Sequence, residues 1–111
     1  MPAGTTEFFE SLRERGPQPA LARTEGTMAF ELRDGKRTQR WRVEIEKGNL
    51  TVSHRQGSTD CTVRTTQDVF DGIVRGEVNA FAAVLRGTLF IDGDPKLLVN
   101  FQRLFPSPPR T

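Results

Sequence analysis

At 111 residues the chain has room for one hydrophobic core and no second one. Charged residues make up 27% and hydrophobic residues 35%, the balance of an ordinary globular domain, and no apolar run approaches the roughly 20 residues that cross a bilayer. A formal charge of only +2, with basic and acidic residues interleaved, argues against nucleic acid, and the lone Cys61 excludes both an intrachain disulfide and a thiolate-rich metal site.

The first element is a short amphipathic helix carrying Phe8, Phe9 and Leu12, capped by Thr5 or Thr6 and closed by Gly16 and Pro17. After a connector over 17–23 the pattern alternates. Met28, Phe30 and Leu32 face one way, Ala29, Glu31 and Arg33 the other, and Asp34-Gly35 turns the chain. A second strand sets Trp41, Val43 and Ile45 against Arg40, Arg42, Glu44 and Glu46. Gly48-Asn49 turns into a third strand with Leu50, Val52 and His54, which completes an antiparallel meander, and Cys61, Val63 and Thr65 predict a fourth strand.

At Thr66 the period changes to that of a helix. Val69, Phe70, Ile73 and Val74 form its apolar stripe, which stops at Gly76. Asn79 caps a second short helix with Phe81, Val84 and Leu85 on a common side and Gly87 as the stop. Leu89 and Ile91 predict a fifth strand. Asp94 and Pro95 then open a last helix whose stripe is Leu97, Leu98, Phe101, Leu104 and Phe105. Residues 106–111 read as a short proline-rich tail, without a Ser-Lys-Leu peroxisomal ending. These elements predict one α+β domain over 1–111, a five-stranded, mostly antiparallel sheet with helices covering one face.

No constellation supports catalysis, so the reading is of a protein that is not an enzyme. Ser53 and His54 would point to opposite faces of a strand. His54 and Cys61 could share an interior as a thiolate dyad, but a lone buried cysteine is commonly an inert small hydrophobe. Asp92 and Asp94 flank Gly93 as in a calcium loop, yet the further oxygen ligands of such a loop are missing and a turn with an N-cap accounts for them. Asp68 and Asp71 suit a first helical turn. Lys36, Arg37, Arg40 and Arg42 surround Trp41, either as a solvated hairpin with the indole turned inward or as a surface that docks on anionic lipid.

The order and spacing of these elements, joined to Gly26-Thr27-Met28-Ala29-Phe30-Glu31-Leu32-Arg33-Asp34-Gly35, Gly76-Glu77-Val78-Asn79-Ala80, Leu85-Arg86-Gly87 and Ile91-Asp92-Gly93-Asp94, resemble the sterol carrier protein 2 (SCP2) family across nearly the whole chain. The resemblance implies an apolar cavity between sheet and helices, needing no cofactor or metal, for a fatty acid, acyl-CoA, sterol or isoprenoid-like lipid. By matching positions its walls would be Trp41, Phe70, Ile73, Phe81, Val84, Leu85, Leu98, Phe101, Leu104 and Phe105. Periodicity alone favours a solid core, and it is the resemblance that favours a cavity. The Arg, Ala and Gly content is similar to that of bacterial members. The expectation is a cytoplasmic monomer or weak homodimer that touches anionic membranes through Lys36, Arg37 and Arg40; the alternative is a ligand-free interaction or dimerisation module serving a partner enzyme.

Overall fold

Alternation of apolar and polar residues generates a sheet with one dry face, and the helices exist to cover it. The computed structural model describes residues 4–105, so the proline-rich tail lies outside the described residues. Helix α1 spans Thr5–Glu14; a turn of 3-10 helix follows at Pro19–Leu21, then strands β1 (Glu25–Asp34), β2 (Arg37–Glu46), β3 (Asn49–Ser53) and β4 (Cys61–Thr66). Helices α2 (Gln67–Val74) and α3 (Ala80–Leu85), strand β5 (Leu89–Gly93), helix α4 (Pro95–Phe101) and a 3-10 turn at Gln102–Leu104 complete the fold.

The strands lie in the order β3-β2-β1-β4-β5. Hairpins join β1 to β2 and β2 to β3, β4 pairs parallel to β1, and β5 returns antiparallel to β4. The expected meander and mostly antiparallel sheet are therefore present, with β1 at the centre. The β2–β3 loop is Lys47-Gly48 rather than Gly48-Asn49, because Glu46 pairs with Asn49. Both loop residues have positive φ, 50° and 89°, as a two-residue turn matched to the strand twist requires.

Caps set the helix starts. Thr66 Oγ1 accepts from the Val69 amide at 3.2 Å, Asn79 Oδ1 from Phe81 and Ala82 at 2.9 and 3.1 Å, and Asp94 Oδ1 from Lys96 at 2.9 Å. The first helix departs from this pattern. Neither Thr5 nor Thr6 caps it: Gly4 holds the N-cap position, and Thr5 is the first helical residue, its amide and hydroxyl both donating to Asp71 of α2.

Inward residues of the sheet are buried as the alternation requires, among them Met28, Phe30, Leu32, Trp41, Val43, Val63 and Leu89. Above them sits a continuous aromatic cluster. Phe9 stacks on Phe70 (5.6 Å between centroids, 3° between planes) and on Trp41 (4.6 Å, 14°), and Phe30 meets Phe101 at 5.3 Å.

Candidate functional site

Two adjacent aromatic residues on one helix point about 100° apart, so Phe8 and Phe9 meet different parts of the core, although both rings reach Phe70. Phe9 is fully buried in the aromatic cluster, whereas Phe8 stands at its border, 5.2 Å from Phe105 and 6.2 Å from Phe101 between ring centroids. Beyond Phe8 the cluster opens into a groove of about 450 Å³ between α1, the end of α2 and the C-terminal 3-10 turn. Phe8, Val74, Leu104 and Phe105 supply its apolar wall, and Glu7, Arg15 and Arg75 its charged rim.

Of the ten residues expected to line a cavity, Leu104 and Phe105 line this groove. Phe70 and Phe101 stand one layer behind, each with its ring against both Phe8 and Phe105. Ile73 and Leu98 are buried core. Trp41 lies at the opposite end of the cluster, its ring 4.1 Å from His54, and its indole Nε1 is buried with no hydrogen-bond partner among the described residues.

Helix α3 is turned differently from expectation. Ala80 and Ala83 face the core, Phe81 and Val84 flank it half-buried, and Leu85 is 88% exposed. At 100° per residue Leu85 points roughly 170° from the mean direction of Ala80 and Ala83, so Phe81, Val84 and Leu85 cannot share an inward side. Small alanines let this short helix approach the sheet closely. Sequence reasoning also missed Phe8, Val74, Arg15 and Arg75 as groove residues; the signal was the Phe8-Phe9 pair itself.

The reactive candidates are dispersed. His54 lies beyond the end of β3, exposed, with Nδ1 2.8 Å from the Arg40 carbonyl oxygen. Cys61 is buried on β4, whereas the His54 ring lies against Trp41 of β2, with β1 between β2 and β4. Burial, with the charge of Asp94 second, pushes the Cys61 thiol up to about 11, which leaves it protonated and unreactive. Asp94 is an N-cap and Asp92 an ion-pair partner of Arg64, and no cluster of three metal-binding side chains occurs among the described residues. Of the basic hairpin, Arg40 is engaged by Glu31, whereas Lys36 and Arg37 are exposed at the tip.

With this geometry in view, the sequence profile of the SCP-2 sterol transfer family matches residues 8–106. The chain belongs to that family. Two structures of the sec-alkylsulfatase Pisa1 from Pseudomonas sp., one an engineered variant, are each 27% identical and superpose with TM-scores of 0.76 and 0.73. They cover 93% and 90% of this chain, which spans only 16% of the length of that enzyme. Sterol carrier protein 2 from Yarrowia lipolytica, in its apo form, shares the fold over 94% of this chain and 92% of its own at 19% identity, TM-score 0.70. Palmitated SCP2L2 from Aedes aegypti does so over 96% and 99% at 15% identity, TM-score 0.71. No curated protein matches the sequence. Among the described residues, no helix of this SCP-2 family domain is long and apolar enough to cross a membrane.

Proposed function

We propose that this SCP-2 family domain binds a single-chain acyl lipid, of the fatty-acid class, and carries it without chemical change. The observation that supports this reading most directly is the groove beside Phe8, which joins an apolar wall of Phe8, Val74, Leu104 and Phe105 to a rim containing Arg15 and Arg75. Its volume of about 450 Å³ suits a small-molecule ligand, since such pockets span roughly 300–1,000 Å³. An acyl chain lies against the apolar wall, and its carboxylate meets the arginines of the rim. Each buried methylene contributes about 0.8 kcal/mol, so a chain of ordinary length binds without a dedicated polar lock.

The rings of Phe70 and Phe101, packed directly behind Phe8 and Phe105, form the wall that a longer chain reaches when Phe105 swings aside. The palmitated state of the Aedes aegypti relative is in keeping with an acyl ligand. Lys36 and Arg37 at the β1–β2 tip offer contact with anionic lipid during loading. The test is displacement of a fluorescent fatty acid from delipidated protein. Saturable uptake near one per chain is expected, weakened about tenfold by Phe105→Asp through loss of apolar contact and an added like charge. Failure to take up fatty acids, sterols or isoprenoids would overturn the carrier and favour the ligand-free interaction module.

A further inference from the structure

The face of the sheet turned away from the helices carries a second concavity, of about 110 Å³, where β2, β1 and β4 run side by side beneath the loop that follows β3. Four guanidinium groups line it, those of Arg40, Arg42, Arg55 and Arg64, with Glu31 as the single carboxylate. Both Glu31 oxygens are already used: Oε2 accepts from Arg40 and Oε1 from Arg64 Nε at 3.0 Å. Arg64 is further held by Asp92 at 3.2 Å, and Arg42 Nε by Glu44 at 3.2 Å. What remains is an excess of donors. Arg42 Nη1 is buried with no hydrogen-bond partner among the described residues, and Arg55 adds a positive charge from the exposed loop.

A buried guanidinium N–H without an acceptor costs free energy, which an incoming anion removes. The backbone brings the loop directly over this group. Gly57, at φ +152°, lies so close that a Cβ there would stand 3.2 Å from Arg42 Nη1, so a side chain would intrude on the pocket. The hydroxyls of Thr59 and Thr62, also in the wall, bond to each other at 2.8 Å, and in such a pair one hydroxyl proton is left free to donate outward.

We propose that this pocket binds a phosphate-class tetrahedral oxyanion, free or carried on a larger molecule. Donors converge on it from β2, β4 and the loop after β3, a distribution that suits oxygens directed tetrahedrally, and guanidinium forks are the side chains best matched to phosphate. The volume admits an oxyanion and excludes an acyl chain. The site is on the opposite side of the sheet from the apolar groove, so it stands or falls independently of lipid carriage.

The experiment follows the amide resonances of Gly57, Thr59 and Thr62 while inorganic phosphate is added at constant ionic strength. Saturable shifts are expected with phosphate and sulfate but not chloride. Arg42→Gln and Arg55→Gln each weaken binding about tenfold, the worth of a charge-assisted hydrogen bond, while Arg33→Gln, on the same face but outside this pocket, leaves it unchanged. Arg55 is exposed, so its variant keeps the fold even if Arg42→Gln does not. A second arm sediments the protein with phosphatidylcholine vesicles with or without phosphatidic acid. Sedimentation that requires phosphatidic acid and Arg55 assigns the anion to a lipid headgroup, and phosphate shifts without sedimentation assign it to a soluble phosphate compound. Shifts equal in chloride, shifts unaltered in Arg55→Gln, or no response in either arm would overturn the proposal.

Discussion

Asp71 of α2 caps α1 from outside: its Oδ1 accepts the backbone amide of Thr5 at 3.1 Å and the Thr5 hydroxyl at 2.5 Å, and Gln67 Nε2 donates to the same oxygen at 3.1 Å. The N-terminus of α1 is thus satisfied by a side chain 66 residues away rather than by its own cap. Gly4 and Val74, which flank this contact, belong to the wall of the apolar groove, so the same carboxylate fixes one side of its mouth.

Asp71→Ala is expected to lower stability by about 1 kcal/mol, the usual loss on removing an N-cap, and to speed amide exchange in the first turn of α1. Asp71→Asn, which keeps an acceptor oxygen, recovers part of both. Urea denaturation with site-resolved hydrogen exchange measures the two effects, and unchanged exchange at the start of α1 in Asp71→Ala would remove the cap assignment.

Glu31 carries the pH dependence. Burial works against its charge, but hydrogen bonds from Arg40 and Arg64, together with their positive charges, outweigh that and hold its carboxyl below the usual 4.5. A carboxyl depressed in the folded state gives its full stabilisation above the unfolded value and loses it as pH falls through the folded value, where both states are protonated. Glu31→Gln is therefore expected to cost about 1 kcal/mol near neutrality, with the gap to the parent protein closing in acid. Urea midpoints of both proteins across pH provide the check; a gap that widens in acid contradicts the ion-pair account.

The fully buried Cys61 thiol, raised to about 11, is expected to resist iodoacetamide in the folded protein at neutral pH and to react once the chain unfolds. Alkylation followed by mass spectrometry against denaturant concentration should track global unfolding. Labelling of the native protein at the rate of a free thiol would show that β4 opens locally instead.

Strand positions were legible because period two leaves little freedom: Trp41, Val43 and Ile45 face the core as their alternation requires, and each helix beginning with Thr66, Asn79 or Asp94 starts at its cap. What alternation cannot carry is partnership. The parallel pairing of β1 with β4 and the Thr5–Asp71 bond join residues far apart in the chain, and neither leaves a local mark. Orientation of α3 was lost for a different reason. Over six residues, hydrophobicity points to Phe81 and Leu85, whereas closeness to the sheet selects Ala80 and Ala83. The groove was missed because Phe8 and Phe9 read as one apolar stripe, although only Phe9 is enclosed by the stacked rings.

The aromatic cluster also dictates the order in which this domain can be completed. Phe8 and Phe9 leave the ribosome before their partners, since they close against Phe70, Phe101 and Phe105, about 60 to 100 residues further along the chain. Until those residues arrive, α1 has only part of its docking surface and is too short to hold helical structure alone. Consolidation of the helical layer is therefore a long-range event that follows the local β1–β2–β3 meander, and truncation ahead of Phe101 leaves the first helix without its lock.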